Sequence, residues 1–451
     1  MPRNAKLDRD LIWAQMRQSL LRGPTSAAVL ARTSRISQSS VSRVIAERGE
    51  LVRIGRRRNA RYALRRHAVD VTQPLPIYAI GEDGTARQLA LLHLIYPQAC
   101  YFEALDTDVP AAVFGDLPYF LHDLRPSGFL GRLVPEQHPE LRLPPDVRHW
   151  SAEQTLGYLS KYGWDVPGNI IVGDGALTLY NRRSPATHAV ELGKRRRRYP
   201  TFADDVLGAT PPGSSAGGEQ PKFLVTLLPE RTAALVKFSP VTDNVVGRRY
   251  ADLLVAEHVA HETLRHAGHA AARSEVLEAG GRLFLEVLRF DRTAHGGRRG
   301  LLSLEALDAE FVGKGTTWSE IARALWEQGH LDEGALYEIE WREQFGRWIG
   351  NTDMHPGNLS LFTERLRPVG LAPVYDMVPM HYVPRQGNVL TQPLSFTRPL
   401  PPLVEAWLDA GRVALEFWNA LARHPRGSDV FRSVARENAV AVAKTLESAT
   451  R

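Results

Sequence analysis

Residues 350–362, G-N-T-D-M-H-P-G-N-L-S-L-F, set a carboxylate, Asp353, five positions ahead of a carboxamide, Asn358, and continue as the β-like run 358–362. Transfer of a phosphoryl group needs both groups. An anionic oxygen orients the attacking hydroxyl and accepts its proton, and a neutral oxygen shares a cation that offsets developing charge. Eighteen positions after Asn358 comes P-V-Y-D-M-V-P (373–379), where Asp376 follows the apolar approach Leu371, Ala372, Pro373, Val374 and Tyr375. Read singly, each is weak, because a D-x-x-x-x-N spacing arises by chance and an aspartate after a strand is commonly a turn residue. The two in order, each beside an apolar strand, point to a single site.

The D-x-x-x-x-N spacing is that of the second half of the protein-kinase catalytic loop, and Asp376 stands where a second, magnesium-binding aspartate follows on the far arm of a hairpin. Upstream, T-P-P-G-S-S-A-G-G-E-Q-P-K (210–222) is rich in Gly and Ser. Such a loop exposes backbone N–H groups and approaches phosphates without interference from Cβ, although a Pro-Gly-Ser stretch by itself reads as a linker. It lacks the G-K-S/T of a Walker A motif. Behind it F-L-V-T-L-L, P-E-R-T and A-A-L-V-K-F-S-P read as a hairpin, with Lys237 inside the apolar second strand. A buried ammonium there requires an anion, and the kinase plan supplies the nucleotide α and β phosphates; the alternative is an edge lysine reaching water. The helix predicted over 246–266 offers Asp252, Glu257 and Glu262 as acidic partners for Lys237, with no basis for choosing among them.

Length and composition set the frame. A chain of 451 residues, 43% hydrophobic and 24% charged, predicts two or three globular units and excludes a wholly disordered chain. The single cysteine, Cys100, rules out an intramolecular disulfide framework and a cysteine-rich zinc site. No apolar run approaches membrane-spanning length, so the expectation is a soluble protein of a bacterial cytoplasm without a membrane partner. The net charge is +6, but residues 1–70 hold 16 Lys and Arg against 5 Asp and Glu, or +11, leaving 6 − 11 = −5 for the rest. A basic module attached to a slightly acidic body implies a polyanionic partner for the front end.

That front end reads as a helix over 7–21, a second opening at Thr25 or Ser26, and a third, S-Q-S-S-V-S-R-V-I-A-E-R, capped by Ser37. Two strands then flank the basic turn of Arg56, Arg57, Arg58 and Arg61. The plan is that of a winged helix-turn-helix, with Gln38, Ser39, Ser42 and Arg43 outward on the recognition helix to meet base edges or phosphates of duplex DNA. A small helical docking domain with a solvated charge run is the bland alternative. Such DNA readers are frequently homodimers, because operators are two-fold symmetric. A linker is expected near V-T-Q-P-L-P (71–76), and K-R-R-R-R (194–198) reads as a solvated surface run. After the strand ending in R-F-D-R, L-L-S-L-E-A-L (301–307) is placed to connect two lobes.

Taken together, S-A-G-G-E-Q-P-K (215–222), the strand lysine of L-V-K-F, R-F-D-R, W-I-G-N-T-D-M-H-P-G-N-L-S-L-F (348–362) and P-V-Y-D-M-V-P resemble the HipA family of bacterial kinase-fold toxins. The resemblance implies an α+β, two-lobed protein-kinase-like fold, here behind a winged helix-turn-helix domain (1–70). The N-terminal lobe would span 77–300, with the Ser/Gly loop at 213–222, and the helical C-terminal lobe 301–451. It implies ATP and Mg2+ as cofactors and serine/threonine phosphorylation of proteins, with translation factors such as aminoacyl-tRNA synthetases among the substrates. By position, Asp353 would be the catalytic base, and Asn358 and Asp376 would hold magnesium. Lys237, Ser215, Gly217 and Gly218 would bind nucleotide. Ser215, with Ser214 beside it, matches the family's autophosphorylated serine, where added charge would repel the nucleotide phosphates.

Two features depart from the pattern. Family toxins commonly work with a separate antitoxin that carries the DNA-binding domain, whereas here such a domain is fused in front, which suggests a chain that reads its own operator. D-M-V also stands in place of D-F-G, and no H-R-D precedes Asp353. Two other functions compete: a nucleotide-sensing transcription regulator with a kinase-like body, and a small-molecule phosphotransferase, whose catalytic loop D-x-H-P-G-N resembles. The Ser-Gly loop favours the protein kinase over the latter.

Overall fold

A computed structural model describes residues 2–56, 59–68, 70–182, 188–208, 220–293 and 296–450. Arg57 and Arg58 of the basic turn, and Ser214, Ser215, Gly217 and Gly218 of the Ser/Gly loop, lie outside the described residues.

The chain opens with α1 (Pro2–Leu20), β1 (Thr25–Ser26), α2 (Ala27–Ser34), α3 (Gln38–Ala46), β2 (Leu51–Ile54) and β3 (Arg61–Leu64). Ser26 accepts from the Val29 N–H at 3.4 Å and Ser37 from the Ser40 N–H at 3.2 Å, so each hydroxyl satisfies an otherwise orphan donor at a helix start. Met16, Leu20, Leu30, Val41, Val44 and Leu64 share one apolar core beneath the three helices. The strands pair in the order β1-β3-β2.

No linker separates this unit from the next. Val71 and Leu75 are buried, and the Gln73 side chain donates to the Arg66 carbonyl at 2.6 Å while accepting from the Leu94 N–H at 2.8 Å. Val52 and Ala63 pack on Ile95, Ala99 and Tyr101 of the following sheet. The proline-broken sequence 71–76 reads as a linker only when its apolar side chains have nothing to bury against.

The next unit contains β4 (Leu75–Ile80), β5 (Ala86–Ile95), β6 (Ala99–Ala104), β7 (Ala112–Phe114), α4 (Tyr119–His122), α5 (Gly128–Gln137), α6 (Ala152–Tyr162), β8 (Ile170–Val172) and α7 (Gly173–Arg182). Its five strands form a sheet of order β7-β6-β5-β4-β8. A second five-stranded sheet, β12-β13-β11-β10-β9, comes from β9 (Ala189–Glu191), α8 (Arg195–Gly208), β10 (Lys222–Leu228), β11 (Thr232–Phe238), α9 (Val245–His266), β12 (Ser274–Ala279) and β13 (Arg282–Leu288). The span 77–300, read from the sequence as one lobe, therefore carries two sheets. In the arginine run, Arg196 to Arg198 are exposed, while Arg195 turns inward to pair with Glu275 and Glu286.

The remainder holds β14 (Gly300–Ser303), α10 (Leu304–Leu307), α11 (Trp318–Glu327), α12 (Glu333–Ile349), β15 (Ser360–Glu364), β16 (Arg367–Leu371), α13 (Val404–Arg423) and α14 (Asp429–Thr450). The expected lobe connection begins as a strand, since β14 pairs antiparallel with β15. Trp341, Phe345, Trp348, Phe417 and Trp418 fill the helical core. Among the described residues no helix is long and apolar enough to cross a membrane.

Two polar contacts tie the first five-stranded unit to the segment between the lobes. Asp165, Arg289, Asp291 and Arg292 form an ion cluster, and Asp291 also accepts from the Gly168 N–H at 2.9 Å. Asp123 accepts from the Ser303 N–H at 2.6 Å and hydroxyl at 2.5 Å, while that hydroxyl caps α10. Burial pushes the Asp123 carboxyl up to about 6, against those hydrogen bonds. A raised carboxyl binds its proton more tightly in the folded state. Its stabilisation is therefore complete below the unfolded value near 4 and is lost as pH rises through about 6. Lowering the pH from 7 to 5 should stabilise the wild type over Asp123→Asn by about 1 kcal/mol in denaturant unfolding. A difference that stays flat over that window would show that Asp123 is not the buried acid described here.

Candidate active site

The catalytic stretch is delivered by the end of α12. Its inner face, Ile339, Trp341, Phe345, Trp348 and Ile349, is fully buried, and Gly350 ends the helix at φ +75. The Gly350 N–H donates to the Arg347 carbonyl at 3.2 Å and the Asn351 N–H to the Gly346 carbonyl at 2.8 Å, the closing bonds of a left-handed helix cap. A Cβ at position 350 would lie 2.8 Å from Leu394, so only glycine turns the chain here.

Asn351, next in line, joins the two acidic segments. Its carboxamide oxygen accepts from the Asp353 N–H at 3.0 Å, and its nitrogen donates to the Asp376 carbonyl at 3.3 Å. The Asn358 nitrogen donates in turn to the Asp353 carbonyl at 2.9 Å, which leaves its carboxamide oxygen as the end able to meet a cation. Below, the hydroxyl of the half-buried Tyr375 donates to the Gly357 carbonyl at 2.9 Å and lies 2.7 Å from the Ser360 hydroxyl, fixing the turn between Asp353 and β15. The Trp318 indole N–H donates to the His355 carbonyl at 3.0 Å.

Lys237 rises from β11 and is 5% exposed. Its ammonium donates to both Glu257 oxygens, at 2.7 and 2.8 Å, and to the Asp376 carboxylate. Burial opposes its charge, but Asp376 and Glu257 overcome this and raise its pKa. Burial likewise works against the Asp376 carboxylate, and the Lys237 and Lys222 ammoniums beside it hold it well below the usual carboxylate range. Asp376 sits at φ +51, a left-handed backbone that aspartate tolerates better than most residues and that recurs at functional sites.

Four residues singled out from the sequence, Lys237, Asp353, Asn358 and Asp376, are thus joined by one hydrogen-bonded chain running through Asn351. A cavity of about 360 Å3 opens beside Asp353, walled by Thr316, Trp318, Glu343, Arg347 and His355. Lys237 and Asp376 do not line it, so two sides of the site are distinct. Of the expected DNA-contacting residues, Gln38, Ser39, Ser42 and Arg43 are exposed on α3, and Arg56 and Arg61 are exposed around the basic turn. The Ser42 hydroxyl donates to the Gln38 carbonyl at 3.0 Å.

The sequence left the partner of Lys237 open and missed Asn351. Asp252 is occupied elsewhere, accepting from the Ser428 N–H and hydroxyl, and Glu262 pairs with Arg265. Only Glu257 faces β11. Asn351 lay in plain view two residues before Asp353, but a buried amide reveals its role only once the Asp376 carbonyl is in place.

An oxygen donor set of one carboxylate, Asp376, and one carboxamide, Asn358, suits a hard ion such as Mg2+, which commonly takes one or two carboxylates and completes its shell with water and phosphate. Among the described residues no group of three or more His, Cys, Asp or Glu is placed to hold a metal by itself.

Comparison with known proteins places this geometry. Residues 214–444 match the HipA-like C-terminal domain, and residues 71–181 match the YjjJ-like toxin middle domain. Toxin YjjJ of Escherichia coli (strain K12) is 37% identical over 434 residues, covering 94% of this chain and 96% of its own. Among solved structures, HipA of Shewanella oneidensis MR-1, determined with HipB and operator DNA, superposes with a TM-score of 0.52 at 14% identity, covering 82% of this chain and 97% of that one. The Helicobacter pylori proinflammatory kinase CtkA aligns over 51% of this chain and 92% of its own, with a TM-score of 0.36 at 14% identity. With a mixed arrangement of helices and sheets like that of HipA, and with the HipA-like C-terminal domain spanning its second half, the chain belongs to the HipA-like toxin family and is a homologue of toxin YjjJ.

Proposed function

We propose that the protein is an ATP-dependent serine/threonine protein kinase whose N-terminal unit binds duplex DNA. The observation that carries the reading is the continuous chain Lys237–Asp376–Asn351–Asp353–Asn358, which unites a phosphate-binding cation, oxygen donors for a metal and a candidate base. Lys237 takes the α and β phosphates, exchanging its contact with Asp376 for phosphate oxygens. Asn358 and Asp376 would hold Mg2+, which would supply positive charge to offset the negative charge developing at the phosphates. Asp353 orients the acceptor hydroxyl, presented from the cavity side, and takes its proton. The acceptor oxygen bonds to the γ-phosphorus as the bond to the β-γ bridging oxygen breaks, and ADP leaves.

Acceptors on this reading are protein hydroxyls, with a translation factor such as an aminoacyl-tRNA synthetase as the expected class, and the chain's own Ser214 or Ser215. The test is incubation of the full chain with γ-labelled ATP and Mg2+, followed by mass-spectrometric mapping. Label at Ser214 or Ser215 is expected; absence of label there and on every protein of a host extract overturns the kinase reading in favour of a nucleotide-sensing regulator.

DNA binding rests on the basic front end and the exposed polar face of α3. The HipA of Shewanella was solved together with HipB and operator DNA, whereas here the unit is part of the chain, so the expected ligand is its own operator. A separate antitoxin is then unnecessary for DNA binding. Full-length protein should bind its upstream duplex with strong salt dependence. Replacing Arg56, Arg57 and Arg58 by alanine should weaken binding and flatten the log–log salt slope by about 1 per lost phosphate contact. An unchanged slope removes those arginines from the interface.

A further inference from the structure

We propose that His261 is a positioning residue of the nucleotide site: its Nε2–H faces the Glu257 carboxylate and holds that carboxylate in place when Lys237 turns toward phosphate. The inference rests on the phosphoryl-transfer reading above and deepens it.

His261 follows Glu257 by one turn of α9 and is completely buried. Its Nε2 lies 4.0 Å from Glu257 Oε1, and among the described residues it has no hydrogen-bond partner. On the opposite side of the ring, Nδ1 lies 3.1 Å from the Ser274 hydroxyl, which is also 3.0 Å from His258 Nδ1. A hydroxyl carries one proton, so Ser274 can donate to only one of these rings and must accept from the other.

Two arrangements satisfy that rule. If His261 donated from Nδ1, its bare Nε2 would point at a buried carboxylate and would need a donor. Lys237 cannot be that donor, because its three N–H groups are directed at the two Glu257 oxygens and at Asp376. The arrangement without an unpaired repulsive contact has Ser274 donating to His261 Nδ1, His258 donating to Ser274, and His261 carrying its proton on Nε2, toward Glu257. Burial pushes the His261 pKa down to about 3, so the ring is neutral at physiological pH and has a defined tautomer.

The consequence falls on the moment of nucleotide binding. Lys237 must then divide its protons between Glu257 and the phosphates, and a buried carboxylate loses part of its donor shell. The His261 Nε2–H is the group beside Glu257 able to fill that gap. It keeps Glu257 ionised and aimed, and Glu257 in turn keeps Lys237 directed into the site.

Two measurements on the full chain decide the matter. In protein labelled with 15N-histidine, the His261 signal, identified by its loss in His261→Gln, should show the proton on Nε2 at pH 7; a proton on Nδ1, or on both nitrogens, overturns the assignment. In steady-state kinetics His261→Leu, which removes the donor, should lower kcat/KM for ATP about 10- to 100-fold, chiefly through KM. His261→Gln, which can still donate to Glu257, should recover most of that loss. Equal loss in both variants, or none in His261→Leu at unchanged melting temperature, overturns the positioning role. A wild type that transfers no phosphoryl group would sink the kinase reading instead, while the tautomer measurement would still decide whether His261 faces Glu257 as a donor.

Discussion

Asp353→Asn should lower phosphoryl transfer by a factor of about 10^2 to 10^4 while leaving nucleotide affinity near that of the wild type. The substitution keeps size and shape but replaces an anionic proton acceptor by a neutral amide that cannot take the proton. The supports of residue 353 survive, because they run through its backbone: the N–H to Asn351 and the carbonyl to Asn358. The fold should therefore be unaffected, and the measurement is initial-rate labelling at saturating ATP beside a nucleotide-binding isotherm. A variant that labels as fast as the wild type would remove Asp353 from the role of base. Loss of binding together with rate would mean that the carboxylate contributes to holding the nucleotide.

The largest effect on stability is expected from Asp291→Ala. Asp291 is 5% exposed and accepts from Arg289 at 3.0 Å, Arg292 at 2.6 Å and the Gly168 N–H at 2.9 Å. Its removal leaves the two guanidiniums with Asp165 as the carboxylate they share, beside the Gly168 and Val166 carbonyls, and breaking a buried ion pair from one side costs about 3–5 kcal/mol. For a chain of 451 residues, with about 2.1 cal/mol/K of unfolding entropy per residue, that corresponds to a fall of roughly 3–5 °C in melting temperature. Burial opposes the Asp291 charge, but Arg289 and Arg292 hold its carboxyl below the ordinary range. A depressed carboxyl stabilises above its unfolded value, near 4, and that contribution disappears as pH falls. The gap between wild type and variant should accordingly stay level from pH 7 to 5 and narrow below about pH 4. A loss under about 1 kcal/mol at pH 7 would show that water reaches the cluster and compensates the arginines.

Glu257 and Asp291 show why part of the site could not be read in advance. Among Asp252, Glu257 and Glu262 on one helix, all are acidic and two are buried, so neither residue type nor burial separates them. What separates them is what faces each: Ser428 just ahead of α14, Lys237 from β11, and Arg265 on the same helix. R-F-D-R stood out as a motif, yet its function as the anchor of a preceding sheet depended on Asp165, more than a hundred positions earlier. The stretch 71–76 misled for the same reason: Gln73 has its partners at Arg66, just past β3, and at Leu94 on β5.

The sequence by itself determined the local matters: a hydroxyl cap at Thr25 or Ser26 and another at Ser37, the hairpin carrying Lys237, and the order of Lys237, Asp353, Asn358 and Asp376. Each depends on residues a few positions apart, whose geometry the backbone dictates. Only the tertiary structure decided that Glu257 is the partner of Lys237, that Asn351 joins the two acidic segments, and that the span 77–300 carries two five-stranded sheets. Those outcomes depend on which buried charge meets which donor across the core, and a desolvated charge is stabilised by whatever the fold brings within about 3 Å of it, regardless of distance along the chain.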